Sequence, residues 1–473
     1  MLFRFSRTLA FLFVPLVCRA QAILVPARYE LQVRVDFAEE TLQGRARLLL
    51  VNSGTEPVTR ASFLLYRLLT VRGVTGVKDA LEFSQKVVAI TDFPKQQVNQ
   101  VIVSLSEPLP PGERTAVTIE YDGFLLGYAE TGMRYIQDRV DPHFTMLRDD
   151  ALAYPRPGLP SLAAGRQSVN WRYEYDARIT VPKDMRVVNG GTLLETVVDG
   201  ERATYHYKSL RPSWRMDFAI GRYQTISVGA VSVHHLPEDQ AGAKGVADAV
   251  QRAINLFTSW FGPLRDPTPI AFIEIPDGWG SQTDATAILQ TAAAFRDPRR
   301  YGEAYHEVSH LWNVRDSEQP SPRLNEGLAT FLETLATQEF TGGRVREEKV
   351  AAILERLRGN LAKRPALRNT PLIAYGRAGM TDLSYTVGGV FFDLLHRLIG
   401  AEAFQMAVRD FYGRYAARGA STAEFLETIR QSSPVETRAL VSDWILTAAW
   451  TERIHQFKDV DALLGYYRRT GGE

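Results

Sequence analysis

Between residue 28 and about residue 227, apolar and polar side chains alternate in short runs, as in residues 29–36 (Tyr-Glu-Leu-Gln-Val-Arg-Val-Asp), 47–51 and 101–105. A period of two puts successive side chains on opposite faces of a strand. Turn-forming clusters at Asn52-Ser53-Gly54, Pro110-Pro111-Gly112 and Asn189-Gly190-Gly191 separate the runs, so this half predicts an all-β domain. From Ala241 the apolar period lengthens to that of a helix. It predicts an amphipathic helix to about Trp260, a break at Phe261-Gly262-Pro263 and a buried strand at 270–275. Further helices fit 303–314, 322–338, 344–362, 383–398, 402–416, 421–431 and 435–448. The expected fold class is therefore α+β and multidomain, with a β domain over 23–227 and a mainly helical domain over 228–473.

Residues 1–22 follow neither pattern. Arg4 and Arg7 give a charged start, 9–17 an apolar core, and Ala20-Gln21-Ala22 a small-residue cleavage site, which together predict a secretory signal removed before Ile23. The apolar core is far short of a bilayer span, which disfavours an uncleaved anchor. Bulky Val17 before Cys18 disfavours lipid attachment at that cysteine. A secreted or periplasmic protein is expected, with no membrane span after signal cleavage. Removing Arg4, Arg7 and Arg19 leaves 52 basic against 54 acidic side chains. This balance, with no long basic run, points away from nucleic acid. Because Cys18 is the only cysteine, the residues that remain can form no disulfide, and any metal site must use His and carboxylate.

Such a set occurs at His306-Glu307-Val308-Ser309-His310. On a helix, His306 and His310 lie one turn apart on one face and can both reach one Zn2+. Glu307 points to the same region but lies too far round for ligation, and suits a base that takes a proton from water attacking a carbonyl. Sixteen residues beyond His310, Glu326 lies on the first turns of the next helix and supplies a third ligand. Glu333, two turns further on the same face, can take a hydrogen bond from a ligating His and fix its tautomer. Of the other histidines, His234 and His235 fall on opposite faces of a strand, and His143, His206, His396 and His455 are isolated.

The run from His306 to Trp312, followed by Leu324-Asn325-Glu326-Gly327 and Glu333, resembles the gluzincin signature of the M1 aminopeptidases, the family of aminopeptidase N and leukotriene A4 hydrolase. Residues 171–182 and 215–221 resemble the end of that family's saddle-shaped β domain, and 442–446 with Trp450 the end of its thermolysin-like catalytic domain. Weaker similarity covers roughly 28–452. The resemblance implies one zinc ion, a peptide substrate and a tyrosine that donates to the oxyanion of the tetrahedral intermediate. Tyr385, in Ser384-Tyr385-Thr386-Val387-Gly388-Gly389, matches that tyrosine's context, with Tyr375 and Tyr301 as fallbacks.

Three departures bear on substrate. The spacer between His310 and Glu326 is shorter than usual in the family, and Trp312-Asn313-Val314-Arg315 also resembles the M61 glycyl aminopeptidases. The family's strand that grips the substrate's free amine corresponds here to Gly280-Ser281-Gln282-Thr283-Asp284. Thr283 replaces its glutamate and brings no charge to pair with an ammonium. Finally, the sequence ends near the end of the family's catalytic domain, which implies a cleft without the roof of larger members. The expectation is a secreted zinc metallopeptidase of M1 type with relaxed recognition of the N-terminus. The alternatives are an endopeptidase, a peptide-binding or interaction protein with little turnover, and another hydrolase on the same scaffold.

Overall fold

The computed structural model describes residues 24–266, 269–284, 286–318, 324–376 and 380–470, and the expected signal segment with Cys18 lies outside them. In the N-terminal half, seven strands lie in the order Thr192–Asp199, Arg202–Lys208, Glu174–Pro182, Leu24–Asp36, Thr41–Asn52, Arg114–Gly123 and Leu69–Thr75. Leu24–Asp36 runs parallel to Glu174–Pro182, and the other pairs are antiparallel. Alternation decides the faces: Tyr29, Leu31, Val33 and Val35 are buried, while Gln32 and Arg34 are exposed. A four-stranded sheet contributes Phe63, Leu65, Val101 and Val103 to the same core. Two sheets sharing one apolar interior explain why the period of two runs through this half.

A further, mixed sheet, that of the second domain, follows in the order Gln224–Val228, Val231–His235, Ile270–Ile275, Ala287–Thr291 and Gln282–Thr283. Its three middle strands are parallel, and all six residues of Ile270–Ile275 are buried, as a strand covered on both faces requires. Helix Gln240–Phe261 packs Val246, Val250 and Phe257 into the core that this sheet shares with the later helices. The sheet begins before residue 228, where the sequence pattern places the second domain. Gly229, at φ +58°, closes a tight hairpin that pairs Val228 with Val231, so Gln224–Val228 belongs to this sheet. Alternation reports a strand but not which sheet receives it.

The helices Asn325–Thr341, Val345–Lys363, Ser384–Ile399, Ala401–Tyr415 and Thr422–Ser432 fall close to the expected ranges. The helix expected over 435–448 is instead a short α segment, Arg438–Val441, passing into a π turn at Ser442–Leu446. Thr447 N–H there bonds Ser442 C=O at 2.9 Å, one residue further back than an α-helix allows. Two helices missing from the sequence reading, Trp450–Gln456 and Val460–Thr470, pack over Trp444. Trp444 Nε1 donates to Tyr467 Oη at 2.9 Å, and Tyr467 Oη bonds Asp443 Oδ2 at 3.1 Å. No helix among the described residues is long and apolar enough to cross a membrane.

Candidate metal centre

Helix Tyr301–Ser309 buries Ala304, Tyr305 and Val308 in the core, which turns His306 and Glu307 to its other side. The helix tightens into a 3-10 turn at His310–Trp312, where Trp312 is buried and donates from Nε1 to Gly262 C=O at 3.0 Å. That anchor fixes the turn carrying His310. The two imidazole rings lie 4.9 Å apart between centroids.

Helix Asn325–Thr341 brings Glu326 to them. Its Oε2 lies 3.3 Å from His306 Nε2 and 3.5 Å from His310 Nε2. Ligands at zinc distances of 2.0–2.1 Å in a tetrahedron sit about 3.3 Å from one another, so both separations suit one zinc ion. His306, His310 and Glu326 form the only His, Cys or carboxylate group of this kind among the described residues, with ligating atoms within 4.8 Å of one another.

The protonation pattern also fits a cation. His306 Nδ1 lies 3.5 Å from Glu333 Oε2, and Glu333 Oε1 accepts from Lys349 Nζ at 2.9 Å. With a proton on Nδ1 facing Glu333, the Nε2 lone pair meets the Glu326 carboxylate, and two acceptors face each other. A positive charge is needed between them. Burial lowers the His306 pKa, but hydrogen bonds to Glu326 and Glu333 outweigh it and raise the value to about 10, so this environment favours a positive charge. Burial would raise the Glu326 pKa, but the His310 charge and hydrogen bonds from both rings hold it well below the usual carboxylate range. The Asn313 amide meets His310 Nδ1. The amide nitrogen faces the ring as placed; turned over, the amide presents its oxygen, which accepts the Nδ1 proton and leaves Nε2 for a metal.

Glu307 is 7% exposed, and burial pushes its carboxyl above the usual range. Its Oε2 accepts from Thr283 Oγ1 at 2.7 Å. Tyr385 stacks on His306, with ring centroids 5.9 Å apart and planes 11° apart, and keeps 40% exposure. Burial and the neighbouring Glu326 charge raise its pKa, so it stays a neutral donor. The two fallback tyrosines lie elsewhere: Tyr375 is buried in the helical core, and Tyr301 packs beside Gly245 of helix Gln240–Phe261.

Glycine is what allows Tyr385 and Glu326 to approach. A Cβ on Gly327 would sit 2.6 Å from Gly388 Cα, so helices Asn325–Thr341 and Ser384–Ile399 touch backbone to backbone. Gly327→Ala is expected to cost about 1–3 kcal/mol in a denaturant melt and to weaken activity by moving Tyr385 from Glu326. An unchanged melt would show that the contact relaxes freely.

The 280–284 segment lies beside this centre. Thr283 pairs with Ile288 at the edge of the mixed sheet, and its hydroxyl turns to Glu307. Asp284 accepts the N–H groups of Thr286 and Ala287 at 2.7 and 2.8 Å. Ser281 Oγ accepts the N–H of Thr291, and Gly280, at φ +70°, packs beneath Tyr135. Gln282 Nε2 reaches across to Asp150 Oδ2 of the β domain at 2.9 Å. Asp150 is further held by Arg215 at 3.0 Å, and despite burial the Arg215 and Arg148 charges lower its pKa to about 2. Sequence reading missed Asp150 and Tyr135. The Arg148-Asp149-Asp150 triplet beside apolar residues 151–154 was the available signal, since charges there need partners.

The remaining candidates are structural. His206 bonds Asp176, His234 bonds Thr225, and His396 packs against Phe331 and Phe404. Arg296, in the Arg296-Asp297-Pro298-Arg299-Arg300 run before the helix of His306, pairs with Asp239 and Asp277 and acts as a brace.

No family model matches the chain. It is 21% identical over 461 residues to glutamyl aminopeptidase of Sus scrofa, covering 89% of this chain and 47% of that protein. The chain thus spans about half the length of the curated relatives it matches. An M1 zinc metallopeptidase structure from Deinococcus radiodurans superposes with a TM-score of 0.65 at 19% identity, covering 90% of this chain and 94% of that one. A mutant of that metallopeptidase bound to a Tyr-Ser-Ala substrate gives 0.64 at 18% identity, covering 89% and 94%. The similarity to M1 aminopeptidases read from the motif therefore extends over nine-tenths of the chain, and the fold is that of the M1 zinc metallopeptidases, a β-rich domain followed by a mainly helical one.

Proposed function

We propose that this chain, built on the M1 zinc metallopeptidase fold, is a zinc-dependent peptidase that removes N-terminal residues with relaxed recognition of the amine. The observation that carries the reading is the convergence of His306, His310 and Glu326 at the spacing of a zinc tetrahedron beside the buried Glu307 carboxylate. Zinc bound there supplies a Lewis acid that polarises a carbonyl and acidifies water.

The other steps belong to the protein's own residues. Glu307 takes the proton of the attacking water and passes it to the leaving amine. Tyr385 donates its phenolic proton in a hydrogen bond to the oxyanion, which strengthens as negative charge develops. Glu333, fixed by Lys349, orients His306. The Gln282–Thr283 strand is the last of its sheet, and its open edge can take an extended peptide as an added strand. The similar metallopeptidase bound to Tyr-Ser-Ala supports a short peptide as the substrate class.

Relaxed amine recognition rests on how the 280–284 side chains are used. Asp284 is committed to its own turn and Thr283 to Glu307, so neither presents a carboxylate to a substrate ammonium. The same observation favours internal cleavage as the second reading. Profiling the zinc-loaded protein on a peptide library, with chelator-treated protein as control, separates the two. Release of single N-terminal residues supports the aminopeptidase, internal cuts support the endopeptidase, and no cleavage supports a peptide-binding protein.

Export is part of the proposal, supported by the charged start, apolar core and Ala20-Gln21-Ala22 site. The exported protein is expected to have the mass of a polypeptide starting at Ile23. A mass retaining residues 1–22 would overturn cleavage.

A further inference from the structure

Thr283 occupies the position where the M1 resemblance implied a substrate-binding side chain, but its hydroxyl is turned away from that task. It lies 2.7 Å from Glu307 Oε2 and 3.0 Å from the backbone carbonyl oxygen of the same residue. We infer that Thr283 is a positioning residue that holds the Glu307 carboxylate in place while it handles the proton; the inference rests on the peptidase reading above.

Three observations support this role. The Thr283 backbone is pinned by pairing with Ile288, and Asp284 N–H bonds Ala287 C=O at 2.9 Å immediately after it. A β-branched side chain on a fixed backbone has few χ1 choices, so the hydroxyl has little freedom to leave. Gln282, on the opposite face of the strand, is tied to Asp150 in the other domain. The strand is thus braced across the cleft on one face and braces Glu307 with the other.

The paired distances add a chemical point. A hydroxyl carries one proton and can accept as well as donate. Towards an ionised Glu307 it donates to Oε2. When the other carboxyl oxygen of Glu307 takes the proton from water, Oε2 is still an acceptor and keeps the Thr283 hydroxyl as its donor. Glu307 thus keeps one partner and one orientation through the cycle.

The test uses the zinc-loaded full-length protein and three variants. Thr283→Val keeps the shape and strand preference and removes the hydroxyl. It is expected to lower kcat by about 10- to 100-fold, the worth of a hydrogen bond to a charged group, with KM within about threefold and zinc content unchanged. Thr283→Ser restores the hydroxyl and is expected to recover most of the loss. In a Glu307→Gln background, Thr283→Val should cause little further loss, because its effect passes through Glu307. A rise in KM at constant kcat would overturn the inference in favour of substrate contact, as would an equal loss in the Glu307→Gln background. If Glu307→Gln alone leaves activity intact, the base assignment fails instead. Crystal structures give a readout independent of turnover: the Glu307 carboxylate should shift in Thr283→Val and stay in Thr283→Ser. An unmoved carboxylate in the valine variant overturns the positioning role.

Discussion

Glu307→Gln is expected to lower kcat by about 10²- to 10⁴-fold, the range contributed by a positioned general base, while zinc content and KM stay close to those of the parent. Glutamine matches glutamate in size, and its side-chain oxygen can still accept the Thr283 hydroxyl that lies 2.7 Å from Oε2. Its amide cannot take a proton from water. The site is 7% exposed at Glu307, so bulk water is poorly placed to substitute as base. Steady-state kinetics with parallel zinc analysis checks the result. Activity within tenfold of the parent at equal zinc content would remove Glu307 from the proton path.

That Glu307 could be singled out from sequence follows from the local nature of the relation. His306, Glu307 and His310 share one helix, and 3.6 residues per turn fixes their relative directions before any tertiary contact forms. Glu333 and Glu326 share another helix in the same way. The strands of the β domain were legible for a similar reason, since Tyr29, Leu31, Val33 and Val35 announce their buried face by alternation alone. What stayed illegible depends on contacts between distant segments. Nothing near Thr283 tells that its hydroxyl meets a residue twenty-four positions later, and nothing near Asp150 tells of Gln282. The edge strand Gln224–Val228 read as a strand but not as part of the second domain's sheet. Of the two terminal helices, Trp450–Gln456 has only seven residues, too few for a period to stand out.

The same division explains why chemistry was easier to anticipate than substrate. The metal centre is assembled by two helices, and their approach is set by Gly327 and Gly388, both visible beside the residues they serve. The 280–284 strand, where the family resemblance puts substrate recognition, meets Tyr135 and Asp150 of the other domain. A side chain in such a cleft can face the substrate or brace the catalytic groups, and only the packed structure distinguishes the two.

Glu326→Gln is expected to abolish the zinc-dependent rise in melting temperature along with activity. Saturating a site at about a thousandfold excess over Kd stabilises the folded protein by about 4 kcal/mol, which for a domain of this size corresponds to a shift of about 10 °C. Glu326 is the only anionic member of the three converging groups, and its Oε2 approaches both imidazoles. Glutamine keeps the shape but loses the charge that holds a dication and the strong oxygen donor that completes the tetrahedron. Without metal, the same change should destabilise the protein, because His306 loses the carboxylate that raises its pKa to about 10 and is left buried with one acid, Glu333, to pair with. Glu333→Gln is the informative contrast. That residue orients His306 through Nδ1 instead of facing the metal, so zinc affinity should fall by about 10- to 100-fold and not vanish. Thermal melts of the three proteins with zinc and with chelator separate these outcomes. A Glu326→Gln protein that still gains about 10 °C with zinc would mean that the ligand set is not His306, His310 and Glu326.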